Sequence, residues 1–152
     1  MVFLIGQTGS VRAEKQQTIV YFPDKRGVMV QEFRVLPEGE CTLEFMGRQL
    51  LKGPENKELG TEIPKKTAIR KIWSDHGVVY VDFTKVLFSY GGGTFREQSM
   101  LGQIVLTFTQ NPGVQSVQIL IEGEKLLAPE GSPTDQPITR ADILFSLQGR
   151  NK

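Results

Sequence analysis

Apolar and polar positions alternate in two short runs near the start of the chain. "QTIVYF" (17–22) is β-branched and aromatic, and in "GVMVQEFRV" (27–35) Met29, Phe33 and Val35 share one parity. Pro23, Asp24 and Gly27 stand between them at turn positions, so the two runs predict a hairpin. The period then lengthens. Leu43, Met46 and Leu50 recur every three or four residues, and Glu38 and Glu40 suit the positive end of a helix dipole, which predicts a helix from about Glu40 to Leu51, stopped by Gly53-Pro54. Gly47 inside it costs about 1 kcal/mol relative to Ala, so a helix here implies close packing of its backbone.

The polar stretch "PENKELGTEIPKK" reads as a surface connection. "TAIRKIW" and "VVYVDF" follow as strands, joined by Ser74-Asp75-His76-Gly77 in a second hairpin turn. Val79, Val81 and Phe83 share one face of the later strand, and Val78, Tyr80 and Asp82 the other, which puts Asp82 at a strand end or on the solvated side.

"GGGTFRE" (91–97) opens a second helix whose stripe is Leu101, Ile104, Val105 and Phe108. A glycine run feeding a helix can cradle an anion with the free amides of the first turn. Here the Gly-x-x-x-x-Gly-Lys-Ser/Thr signature is absent, and no Gly-x-Gly-x-x-Gly follows a strand. Thr94 and Glu97 instead have the spacing of a reciprocal helix cap, which would consume the donors a ligand needs. After Asn111-Pro112-Gly113, "VQSVQILIEG" sets Val117, Ile119 and Ile121 on one face of a strand, and a loop then leads to a short docked segment near Ile143–Leu147.

Strand, strand, helix, strand, strand, helix, strand predicts an α+β fold: a two-layer sandwich with two helices packed on one face of a small mixed β-sheet with hairpins. Residues 1–15 read as a flexible leader, 16–147 as one domain and 148–152 as a loose end.

Composition removes several function classes. In 152 residues, 39% hydrophobic and 23% charged, the formal net charge is only +1, which gives no electrostatic reason to expect nucleic acid. Cys41 is the single cysteine, so neither an intramolecular disulfide nor a multi-cysteine metal site can form. No run reaches the roughly 18 apolar residues of a membrane span. "MVFLIG" at the start falls short of the apolar region of about 7–15 residues in a signal peptide, and reads as a native start, the edge of an expressed segment or the remainder of a trimmed anchor.

Candidate chemistry is sparse. Ser74-Asp75-His76 has the residue types of a hydrolase triad, yet neighbours in sequence cannot converge as a triad must, and these residues suit a turn. Asp24, Asp82 and Glu122 could gather around a cation, without the spacing of a calcium loop. Trp73 could anchor a partner or a sugar from a half-buried strand. Lys65, Lys66, Arg70 and Lys71 concentrate positive charge suited to an anionic wall polymer or lipid headgroups. The candidate interaction surface is therefore Lys65, Lys66, Arg70, Lys71 and Trp73, with no catalytic, cofactor-binding or metal-binding residue predicted.

Taken together, "VYFPDKRGVMVQEFRVLP", "QLLKGP", "TEIPKKTAIRKI", "GVVYVDFT" and "GGGTFREQSMLGQIVLTFTQNPGVQSVQILIEG" resemble the GerMN domain, the sporulation and spore germination domain, in colinear order over about residues 17–145. The most distinctive matches are Tyr21-Phe22, Leu51-x-Gly53-Pro54, Ile63-Pro64, Val81-Asp82, Thr107-x-Thr109 and Val117-x-Ile119-x-Ile121-x-Gly123. The resemblance implies a fold like the ring-building motifs of secretion systems, an extracytoplasmic place in the bacterial cell envelope, and an assembly role without a shared catalytic set or cofactor. The partners it implies are other envelope proteins or a neighbouring domain, with an upstream membrane anchor in the full-length protein. The usual lipobox is missing, because "PEGEC" before Cys41 is polar and lies inside the domain. The rival reading is a peptidoglycan-binding or wall-active enzyme domain that uses the carboxylates and Trp73.

Overall fold

A computed structural model describes residues 15–148. Strands β1 (Gln17–Pro23) and β2 (Met29–Val35) pair antiparallel as the first hairpin, in a sheet of their own. Its turn is closed by Asp24, whose carboxylate accepts the backbone N–H of Arg26 at 2.8 Å and of Val28 at 3.0 Å. Helix α1 (Thr42–Lys52) follows, then β3 (Ile69–Asp75), β4 (Val78–Phe83), a 3-10 turn over Lys85–Phe88, helix α2 (Gly93–Thr109), β5 (Ser116–Ile121), the short β6 (Ile138–Thr139) and helix α3 (Arg140–Gln148).

The second sheet has the order β3-β4-β5-β6. Its outer pairs are antiparallel and the central pair β4/β5 is parallel, with α2 in the crossover that parallel strands require. Val79, Val81, Phe83, Val117, Ile119 and Ile121 turn one face of this sheet into the core, where Met46 and Leu50 of α1 and Ile104, Val105 and Phe108 of α2 meet them. The α+β arrangement thus puts both predicted helices against the same sheet face, with α1 on β3 and α2 on β5 and β6.

Gly47 shows how close that packing is. A Cβ there would come within 2.8 Å of Ile69 Cδ1, so the absence of a side chain lets α1 approach β3.

Two features depart from the pattern-based expectation. The extended segments form two sheets rather than one, because the edge of β1 is engaged by a helix and not by another strand. Tyr21 donates its backbone N–H to Thr107 Oγ1 at 3.0 Å, and the side-chain amide of Gln110 donates to the carbonyl of Ile19. The C-terminal docked segment is a third helix, α3, which lies along α2 and inserts Ile143 into the core. Arg140 at its start donates to the Tyr21 hydroxyl at 2.7 Å and to the Leu106 carbonyl at 3.1 Å, tying α3 to both β1 and α2.

Helix α2 is consequently buried from Ser99 to Phe108. A helix enclosed this way cannot leave its polar groups unpartnered. Gln103 accepts the backbone N–H of Glu62 at 2.7 Å and donates to Thr61 Oγ1 at 3.0 Å, which fastens the connection ahead of β3.

Candidate functional site

The predicted interaction residues gather on and before β3, an edge strand of the second sheet. Lys65 and Lys66 occupy the turn in which Thr67 donates its N–H to the Pro64 carbonyl at 3.0 Å. The Thr84 hydroxyl then accepts the Ala68 N–H at 3.1 Å and the Thr84 N–H reaches the Ala68 carbonyl at 2.9 Å, so the entry into β3 is fixed from β4's far end.

At the other end, His76 and Gly77 form a two-residue turn with φ of 49° and 81°. Two positive φ values match the twist of a tight hairpin, and this sets the register in which Trp73 faces Tyr80. The Ser74–Gly77 segment is therefore turn and strand end, with the exposed His76 ring 2.5 Å from the Asp75 carboxylate through Nδ1.

Register puts Lys71, Trp73, Tyr80, Asp82, Gln118 and Leu120 on the outer face, away from the helices. The Trp73 and Tyr80 rings stack with centroids 5.1 Å apart and planes 5° from parallel, and the Lys71 ammonium lies 4.7 Å from the Trp73 ring centroid. Toward β5 this face is covered. Gln118 is fully buried there, its side-chain amide donating to the carbonyls of Ile119 at 2.9 Å and Thr134 at 3.0 Å.

Asp82 stands near the end of β4, one of the two expected placements, but it is not the solvated carboxylate of the other. It is only 8% exposed, because its Oδ1 accepts the Gly123 N–H at 2.9 Å and Oδ2 lies 3.8 Å from Arg70 Nη1. The imagined cation cluster does not assemble. Asp24 serves the first hairpin turn, Glu122 accepts the Lys85 N–H at 2.8 Å, and among the described residues no group of three acidic, His or Cys side chains could hold a metal ion.

On the inner side of β3 runs a cleft of about 650 Å³, bounded by Glu44, Arg48 and Leu51 of α1 and by Thr67 through Ile72. The helix supplies one wall at a repeating i, i+4, i+7 spacing and the strand edge supplies the other.

The predicted reciprocal cap of Thr94 and Glu97 is also corrected. Gly92 is the N-cap of α2, and no side chain caps the helix. The Glu97 carboxylate points instead into the interior, where it accepts the Tyr90 hydroxyl, the Glu130 N–H at 2.7 Å and the Ser132 N–H at 3.1 Å. Burial raises its pKa, yet the hydrogen bonds from Ser132, Tyr90 and Glu130 together outweigh burial and hold the carboxyl below its ordinary value. Burial, followed by the same hydrogen bond, pushes the Tyr90 hydroxyl far up. Arg96 completes the junction, donating to the Gly91 carbonyl at 2.7 Å and lying 3.2 Å from Glu62. The missed signal was positional: Glu97 lies four residues before Leu101, on the apolar stripe itself.

A second buried ion group also escaped the sequence reading. Arg34 pairs with Glu32 and donates to Gln49 Oε1 at 2.7 Å and the Gly53 carbonyl at 3.1 Å, while Glu32 accepts the N–H groups of Glu55 at 2.9 Å and Asn56 at 3.0 Å. These contacts explain why Gly53-Pro54 sits where it does, since β2 holds the chain as it leaves α1.

Among known proteins, the family described as "Germane: Sporulation and spore germination" matches residues 19–127. The tandem GerMN domains of the sporulation protein GerM from Bacillus subtilis superpose with a TM-score of 0.70 at 23% identity, covering 88% of this chain and 49% of that one. This chain thus spans about half the length of the tandem structure. The first GerMN domain of the same protein gives a TM-score of 0.71 at 24% identity, covering 84% of this chain and 99% of that domain. A Clostridium perfringens protein described as a lipoprotein gives 0.62 at 20% identity, covering 87% of this chain and 95% of that one. No curated protein matches.

Proposed function

The chain belongs to the sporulation and spore germination family, of GerMN type, and from that premise we propose that it acts as a non-catalytic protein-interaction module of the bacterial cell envelope. The observation that carries this reading is the commitment of four carboxylates, the buried Glu97 and Asp82, the half-buried Glu32 and the exposed Glu122. Glu97, Asp82, Glu122 and Glu32 each accept backbone N–H groups that hold loops in place, which leaves them to packing rather than to proton transfer or metal binding. The edge strand β3 and the turn before it carry the exposed Lys65, Lys66, Arg70 and Lys71 beside the half-buried Trp73, where a partner protein or neighbouring domain can dock.

An envelope location is part of the proposal. It draws on the family and on the lipoprotein description of the Clostridium perfringens protein. Among the described residues no helix is long and apolar enough to cross a membrane, so attachment would come from another part of the protein or from a partner.

The stacked Trp73–Tyr80 pair favours a second reading, contact with peptidoglycan glycan, because aromatic faces suit sugar rings. Crosslinking in native envelopes separates the two. Recovery of a specific protein attached to this domain supports the interaction reading, and recovery of peptidoglycan fragments alone overturns it.

A further inference from the structure

Resting on the interaction reading above, we propose that β3 is completed by an extended acidic segment of a partner protein, which adds as a fifth strand to the second sheet and lies in the cleft between β3 and α1.

Backbone geometry comes first. Asp75 and Val78 flank the two-residue turn as a bonded pair, so alternation directs Trp73 toward β4 and turns the N–H and C=O groups of Ile72 and Ser74 outward. Among the described residues no strand pairs with that edge. The first sheet offers no equivalent at β1, whose edge is occupied by Thr107 and Gln110.

The cleft supplies the second requirement. Side chains of an added strand alternate between faces, so one set would enter the cleft against Leu51, Ile69 and Ile72. The other set would lie beside Lys71 and Trp73 on the outer face.

Charge selects the occupant. Lys65, Lys66 and Lys71 are exposed and make no ion pair among the described residues, and Arg70 has only a contact at 3.8 Å with Asp82. An acidic segment would therefore be drawn in and held. In a parallel pairing between two copies of this chain the same lysines would face one another, which is unfavourable. A bulge between Ile69 and Lys71 further breaks the register of self-pairing, while the straight part, Lys71–Asp75, remains open.

The test uses a synthetic peptide alternating Val and Glu, its Val–Lys counterpart, the Val–Glu peptide N-methylated at alternate amides, and inorganic polyphosphate. Binding is read by fluorescence polarisation, and amide hydrogen exchange at Ile72 and Ser74 by NMR. The Val–Glu peptide is expected to bind and slow exchange at both amides, the N-methylated and Val–Lys peptides are not, and the double change Lys66→Glu with Lys71→Glu should weaken binding about tenfold or more. Absence of peptide binding, or binding by polyphosphate and peptide alike without slowed exchange, overturns strand addition. A photo-crosslinker placed at Ser74 and, separately, at the exposed Phe145 distinguishes this failure from failure of the wider reading. Protein captured at Phe145 and not at Ser74 removes the β3 proposal and leaves the interaction module standing, whereas no protein at either position removes both.

Discussion

Tyr21 and Thr107, 86 positions apart, are joined by a 3.0 Å hydrogen bond from a strand backbone to a helix side chain. This contact ends the first sheet at β1 and gives the second half of the chain a grip on the first. Thr107 is fully buried, so no water can replace its hydroxyl. Thr107→Val keeps the shape but orphans the Tyr21 N–H, and should lower stability by about 1–3 kcal/mol in urea unfolding. Thr107→Ser should recover much of that loss, an outcome that a purely steric role would not give.

Glu97 should make the protein acid-sensitive. Its carboxyl is held below the ordinary glutamate value, so it stabilises the folded state at neutral pH, and that contribution is lost as pH falls through the folded-state value. Glu97→Gln is expected to be destabilised at pH 7, with the gap to the parent narrowing below pH 4.5, as followed by thermal melts across pH. Tyr90→Phe removes one charge-assisted hydrogen bond and should cost about 1.5–3 kcal/mol at pH 7. A constant gap at every pH would rule out titration of Glu97 as the cause.

Gly47 and Ile69 should be energetically coupled. Ala at position 47 gains about 1 kcal/mol of helix propensity but pushes on Ile69 Cδ1, the mobile end of its side chain. Gly47→Ala alone should therefore lie within about 1 kcal/mol of the parent. In an Ile69→Val background, which removes the methyl group in the way, the same change should be stabilising, and a double-mutant cycle measures the difference.

The β3–β4 turn can be improved. His76 holds a φ of 49°, which Asn tolerates better than other side chains. His76→Asn should raise stability by about 0.5–1 kcal/mol, since the His76–Asp75 contact it removes is exposed and worth little.

Local features of this fold are readable because their causes are local. Asp24 and Gly27, His76-Gly77 and Gly53-Pro54 mark chain reversals through the backbone preferences of those residues. Met46 and Leu50 mark the buried face of α1 through spacing alone. What escaped depends on distant partners. Thr94 and Glu97 fit a capping pattern, yet Glu97 finds better partners in Glu130 and Ser132, 33 and 35 residues onward. Asp82 looks solvated until Gly123, 41 residues away, donates to it. The division into two sheets likewise hinges on Thr107 and Gln110 reaching β1. The basic cluster at Lys65, Lys66, Arg70 and Lys71 was visible in sequence, but its place on an unpaired edge required the strand order.

The parallel pairing of β4 with β5 also sets an order of events during synthesis. A nascent chain emerging from the ribosome can form the β3–β4 ribbon early, but the seam beside β4 stays unfilled until all of α2 and then Ser116–Ile121 have been made. Until then Val79, Val81 and Phe83 lack their β5 neighbours, and any chaperone or export machinery that meets the protein at that stage meets that greasy, half-finished surface.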